Sequence, residues 1–215
     1  MSKIELRFDK RFEDFIREHG SEARAKTFAT KWFEEQTKKP RVNTSADFAL
    51  HSGRLEAGKI YIFNYDPKTK DILSFYDKHP IILALGPSKR VEGLDLGINI
   101  NFLPPKYKRF LLGKIFDYSR SKIRKALSDR EKIANTGKTP RPNRDEAPLR
   151  IYYDIAKRLI PDELAFAIRS YYMGRRTDTF VLTYEKWTDI TMISIEDIEK
   201  VSLGFIYRLW KSRKK

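Results

Sequence analysis

Between Gly58 and Phe102 the hydrophobic pattern changes period, and this change constrains the fold more than any other feature. Gly58 opens GKIYIFNY, where Ile60, Tyr61, Ile62, Phe63 and Tyr65 form a β-favouring run. Asp66-Pro67 then turns the chain. Pro80 precedes Ile81-Ile82-Leu83-Ala84-Leu85, a continuous apolar run suited to a buried strand. Leu94, Leu96, Ile98, Ile100 and Phe102 follow in strict alternation with Asp95, Gly97, Asn99 and Asn101, the mark of a half-buried strand. Pro104-Pro105 ends it. The aromatics of this block are chiefly core, with Tyr61, Phe63 and Tyr65 dressing both faces of one strand. Asp77 suits the cap of the Tyr76-to-Pro80 corner, accepting backbone hydrogen bonds.

The flanks keep a helical period. Phe8, Phe12, Phe15 and Ile16 share one face, with Gly20 as a stop. Ser21 can cap a second helix carrying Ala25, Phe28, Ala29, Trp32 and Phe33, which ends before Pro40. Arg41 to Ala57 reads as a turn-like tether. Tyr107, Phe110, Leu111, Ile115 and Tyr118 return to helix within 106–134, and NTGKTPRPNRDEAP over 135–148 reads as a loop. Residues 149–173 read as two helical pieces, the second starting at Pro161 with Asp162 and Glu163 in its first turn. Thr177–Leu182 and Thr188–Ile193 read as two strands. Ser194 and Asp197 suit a capping pair for a last helix with Ile198, Val201, Phe205 and Leu209 on its apolar face.

Helices bracketing strands without regular βαβ alternation imply an α+β fold. A small, mostly antiparallel sheet or barrel is flanked by helices. Residues 1–57 form an N-terminal helical arm. Residues 58–215 form the body, with a basic helix and Pro-rich loop at about 106–148.

Charge speaks to partners. The 215 residues hold 44 Lys or Arg against 29 Asp or Glu, a formal +15, which favours a polyanion such as nucleic acid. The surplus is local: residues 106–150 contain 14 Lys or Arg and five acids. A basic helix and loop can track a phosphate backbone without reading bases; a solvated face or a protein-docking surface would have the same composition. The candidate phosphate contacts are Lys122, Arg124, Lys125, Lys138, Arg141 and Arg144. Arg175 and Arg176, and Arg208, Lys211 and Arg213 near the C-terminus, come second. Tyr171, Tyr172, Tyr184 and Trp187 lie beside these charges, either in the core or as platforms for exposed bases.

Signs of catalysis are thin. His19, His51 and His79 stand alone, and the absence of Cys removes disulfides and thiolate metal sites. Gly137-Lys138-Thr139 lacks the upstream glycine of a phosphate loop. Asp66-Pro67-Lys68, with Glu56, Asp71 and Asp77, reads either as a turn or as a fragment of a metal-dependent nuclease site. No catalytic residue, metal ligand or cofactor is assigned. No apolar stretch approaches the roughly 20 residues of a membrane helix.

The stretch GKIYIFNYDPKTKDILSFYDKHPIILALG, followed by Gly93 to Pro104 (GLDLGINI, then Asn101-Phe102-Leu103-Pro104), resembles the DNA end protector family of T-even-like tailed bacteriophages. Gly58, Tyr61, Phe63, Tyr65, Pro67 and Lys68 carry the first part, and Tyr76, Asp77 and Pro80 the second. AIRSYYMGRRTDTFVLTYEKWTDITMI, from Ala167 to Ile193, is similar to the family's basic Arg-Tyr helix and its strand-turn-Trp-strand unit. The resemblance implies a DNA-binding virion protein that holds double-stranded genome ends and shields them from host exonuclease. It also implies phage head or neck proteins as partners, and passage into the host cytoplasm during infection. A structural protein of the head-tail connection or tail is the alternative, and a metal-dependent nuclease a third.

Overall fold

The computed structural model describes residues 8–38, 48–118 and 156–212, apart from positions 52, 69, 73, 74, 89, 90, 194 and 199. Helix α1 spans Phe8–Glu18 and α2 spans Glu22–Lys38. Gly20, at φ +77, makes the tight turn between them. Ser21 is the cap expected from its position: its Oγ accepts from Arg24 N at 3.2 Å. The strands are β1 (Phe48–Leu50), β2 (Ile60–Tyr65), β3 (Ile81–Pro87), β4 (Leu94–Asn99), β5 (Ile168–Tyr172) and β6 (Arg176–Leu182). Helix α3 covers 105–118 and α4 covers 156–159. Helices α5 (Trp187–Met192), α6 (Ile195–Ile198) and α7 (Leu203–Ser212) close the described chain.

Among the described residues the strands form one antiparallel sheet in the order β1-β6-β2-β3-β4-β5. β5 and β6 are separated by three strands, yet only Met173–Arg175 joins them. Four steps across a flat sheet would need roughly 19 Å at ~4.8 Å per strand. Four extended residues reach at most about 14 Å. The sheet therefore curls strongly, bringing its β5 edge back towards β6 without a hydrogen-bonded closure.

The curl gives the sheet two buried faces. Its outer face carries Ile60, Ile62, Ile81, Leu83, Leu85, Ile98, Phe180 and Leu182, which share one core with Phe8, Phe12, Phe15, Ala29, Trp32 and Phe33 of α1 and α2. Its inner face carries Tyr61, Phe63, Ile82, Ala84 and Tyr171, joined by Leu55. β2 is apolar on both sides because both sides are covered.

Several expectations are corrected. The tether from Arg41 to Ala57 contains β1, an edge strand paired with β6. The alternating strand stops at Asn99, and Ile100–Phe102 is a 3-10 turn. Ile168–Tyr172, expected as helix, is β5, paired with β4 from Ile168↔Ile98 to Tyr172↔Leu94. Thr188–Ile193, expected as a strand, lies mostly in α5, whose six residues are all buried. The β-branched run loses its strand preference because α5 is enclosed against α1 and α2, where packing outweighs propensity. The last helix is two, α6 and α7, and α7 buries Ile206 while Phe205 stays exposed.

Candidate nucleic-acid interface

The inner face of the curl is polar where alternation leads one to expect solvent. Asp95 is fully buried on β4. Its Oδ2 accepts from Leu55 N at 3.2 Å and from an Arg176 amino group at 2.8 Å. Arg176 reaches it because of a β-bulge. Between Ile62↔Phe180 and Asn64↔Thr177, β6 has one residue more than β2. Asp178 takes the strain at φ +49, and its Oδ2 accepts from Asn64 Nδ2 at 2.7 Å. The extra residue reverses the alternation, so Arg176 points inwards. Its guanidinium lies 5.6 Å from the Phe63 ring centroid and also donates to Gly53 O at 3.1 Å. Burial lowers the Arg176 pKa, opposed by the charge of Asp95.

A second polar centre lies at Asp77. Its Oδ1 accepts from His79 N at 3.1 Å, the corner cap expected from the sequence. Its Oδ2 accepts from the side-chain amides of Asn99 at 2.9 Å and Asn101 at 2.8 Å. Burial raises the Asp77 pKa, with the two amides and the His79 N–H pulling the other way. Tyr171, also buried, is raised well above the usual phenol value by desolvation, with the Asp77 charge adding to it.

Above this centre opens a cleft of about 270 Å³. Its walls are aromatic: Tyr65, Phe75, Tyr76, Phe102 and Tyr172. Asp77, Asn99 and Tyr171 line its base, and Lys68 and Arg169 supply positive charge. Tyr171 packs edge-on against Tyr65 at 5.1 Å and Phe63 at 5.4 Å, which fixes the inner wall. Tyr172 is 42% exposed at the mouth.

The candidate phosphate contacts fall into three groups. Lys122, Arg124, Lys125, Lys138, Arg141, Arg144 and Arg213 lie outside the described residues. Arg175 is exposed beside the cleft, 3.7 Å from Asp66 Oδ2. Its neighbour Arg176 has a guanidinium already held by Asp95 and a side chain only 2% exposed, so the two do not form one cationic patch. Arg208 and Lys211 are exposed on α7, where Lys211 Nζ sits 6.0 Å from the Tyr207 ring centroid.

The described part of the basic helix is partly structural. Lys108 is fully buried on α3 and its Nζ donates to Ile193 O, near the C-terminal end of α5. Arg109 binds Asp9 at 2.9 Å and Glu13 at 3.4 Å, stapling α3 to α1. Lys106 and Lys114 remain exposed. Of the aromatic candidates, Tyr172 and Tyr184 are accessible, and Tyr171 and Trp187 are core.

The sequence reading missed Asp95, Asn99 and Asn101 as interior groups. A signal was present: a strand apolar on both faces, such as β2, needs both sides of its sheet covered. Asp66 pairs with Lys70 at 3.0 Å and with Arg175. Among the described residues no three His, Asp or Glu gather into a metal-binding group. Among the same residues, no helix is long and apolar enough to cross a membrane.

A family model described as phage T4 terminal DNA protecting protein matches residues 3–136, more than half of the chain. No curated protein and no solved structure gives a match.

Proposed function

The chain belongs to the phage T4 terminal DNA protecting protein family, and from that premise we propose that it binds the ends of linear double-stranded DNA and blocks exonuclease loading. The observation that carries this reading is the match itself, which runs from before α1 through α3 and takes in the curled sheet's first four strands. The formal charge of +15 supplies the attraction for phosphate. Protection is steric, without bond making or breaking: a protein seated on the terminus denies the nuclease its loading site. Lys122, Arg124, Lys125, Lys138, Arg141 and Arg144 hold the backbone in this proposal, assisted by Arg175 and by Arg208, Lys211 and Arg213. The protein travels in the virion against head or neck proteins, and enters the host cytoplasm on the DNA.

The test is competitive. Linear duplex incubated with the protein is expected to resist a processive double-strand exonuclease, and excess closed circular duplex is expected to leave that protection intact. Circles that compete as well as linear DNA, or digestion at the unprotected rate, overturn the reading.

A further inference from the structure

The aromatic cleft beside Tyr172 has no part in the proposed phosphate binding, yet its chemistry selects one kind of ligand. Its volume, about 270 Å³, falls just under the roughly 300–1,000 Å³ of pockets that enclose drug-sized molecules, so it suits one flat ring system. Its walls are lined by the aromatic side chains of Tyr65, Phe75, Tyr76 and Tyr172. Its base offers a carboxylate that is not saturated. An ionised carboxylate accepts at about four sites. The described residues give Asp77 three donors, two on Oδ2 and one on Oδ1. One acceptor position on Oδ1 is left over in a carboxylate that lines the cleft. Lys68 lines the cleft and is exposed, which offers positive charge to the sugar-phosphate of a nucleotide whose ring enters.

Resting on the end-binding reading, we propose that this cleft takes a single unpaired nucleobase from the terminus of the duplex. The base stacks on Tyr172 and donates to Asp77 Oδ1. Stacking on an aromatic ring tolerates any base, because every base has a π-face. A single acceptor at the base of the cleft is equally tolerant: adenine and cytosine present an exocyclic amine, and guanine and thymine a ring N–H. Taking a base out of the stack costs least where it is already unpaired. Such a base is found at an end and not within an intact duplex. The cleft therefore distinguishes an end from the interior, which phosphate contacts alone cannot do.

The experiment compares the intact protein with Tyr172→Ala and Tyr172→Trp on three duplexes of equal length: blunt, with a one-nucleotide overhang, and with hairpin-closed ends. Wild type is expected to bind the overhang duplex at least about fivefold more tightly than the hairpin-closed one, the scale of one base–aromatic stack. Tyr172→Ala is expected to lose that gain while keeping its affinity for the hairpin-closed duplex, and Tyr172→Trp to keep it. A preference for open ends that Tyr172→Ala leaves unchanged overturns the cleft proposal and leaves end binding standing. Equal binding to open and closed ends by wild type overturns the end-binding reading and the cleft proposal with it.

Discussion

Asp77 shows how one side chain joins folding to the candidate site. It caps a corner, anchors Asn99 at the end of β4 and Asn101 in the turn that follows, and lines the cleft, all while buried. Burial is the dominant influence on it and raises its pKa above the ordinary carboxylate value. The sign of the pH effect follows from linkage. Between the unfolded pKa, about 3.9, and the higher folded value, the native state binds more protons than the unfolded state. Stability contributed by this group therefore falls as pH rises through that window, and levels off above it. Asp77→Asn removes the titration and keeps an acceptor for the amides. Urea unfolding of both proteins from about pH 4 upwards is expected to show wild type losing stability relative to the variant as pH rises. Parallel curves would mean that Asp77 titrates alike in both states. The Asp95–Arg176 pair is different in kind. Removing Asp95 would leave the buried Arg176 charge without its carboxylate, at a cost of about 3–5 kcal/mol, whereas Asp95 without Arg176 would keep Leu55 N and the Arg54 guanidinium at 3.9 Å.

The elements divide into those whose sequence signal was local and those whose signal lay elsewhere in the chain. α1 and α2 were legible because each has a repeating apolar face and a glycine or serine at its end. β2 and β3 were legible because β-favouring and apolar runs fall between turn residues. β5 was not: Ile168–Tyr172 follows a good helix start at Pro161-Asp162-Glu163, and that start yields only a 3-10 turn, Asp162–Ala167. Nothing local marks the change, since β5 is defined by pairing with β4. The α5 segment fails for the opposite reason, its burial on all sides erasing the amphipathic period. The polar side of β4 was legible as a period but not as an interior, because a curl is a property of the whole sheet. Gly97 carries that close approach. A Cβ there would run into Ile82 Cγ2, with Leu83 O only 3.3 Å away. Gly97→Ala is expected to cost roughly 1–3 kcal/mol of stability through overpacking. Ile82→Ala should recover part of that loss when combined with it, a coupling that a double-mutant cycle of urea midpoints measures. Strict additivity would show that the two side chains do not share this space.

At the scale of the whole molecule, the positive charge and the aromatic cleft make separable contributions. The cleft wall Phe102 packs against Phe166 at 5.9 Å, and Phe166 against Trp210 at 6.2 Å, so an aromatic chain runs from the cleft to α7. Arg208 and Lys211 thus lie on a helix braced against the same structure, but their contribution to DNA binding would be electrostatic. Phosphate contacts release counterions, so duplex affinity should fall with salt at a log–log slope of about −0.9 per phosphate neutralised. Stacking releases none. Replacing Lys122, Arg124, Lys125, Arg141 and Arg144 together by Gln removes five positive charges and no large apolar group, so the thermal midpoint should stay near wild type. If these residues hold the backbone, the slope becomes shallower by about one unit for each phosphate that is no longer neutralised, on any DNA sequence. Exonuclease digestion of linear duplex resumes in step. Tyr172→Ala, in contrast, should weaken binding to open ends with the salt slope unchanged. An unaltered slope and intact protection in the five-fold variant would leave Lys138, Arg175, Arg208, Lys211 and Arg213 as the candidate phosphate contacts, which the same titration can then examine singly.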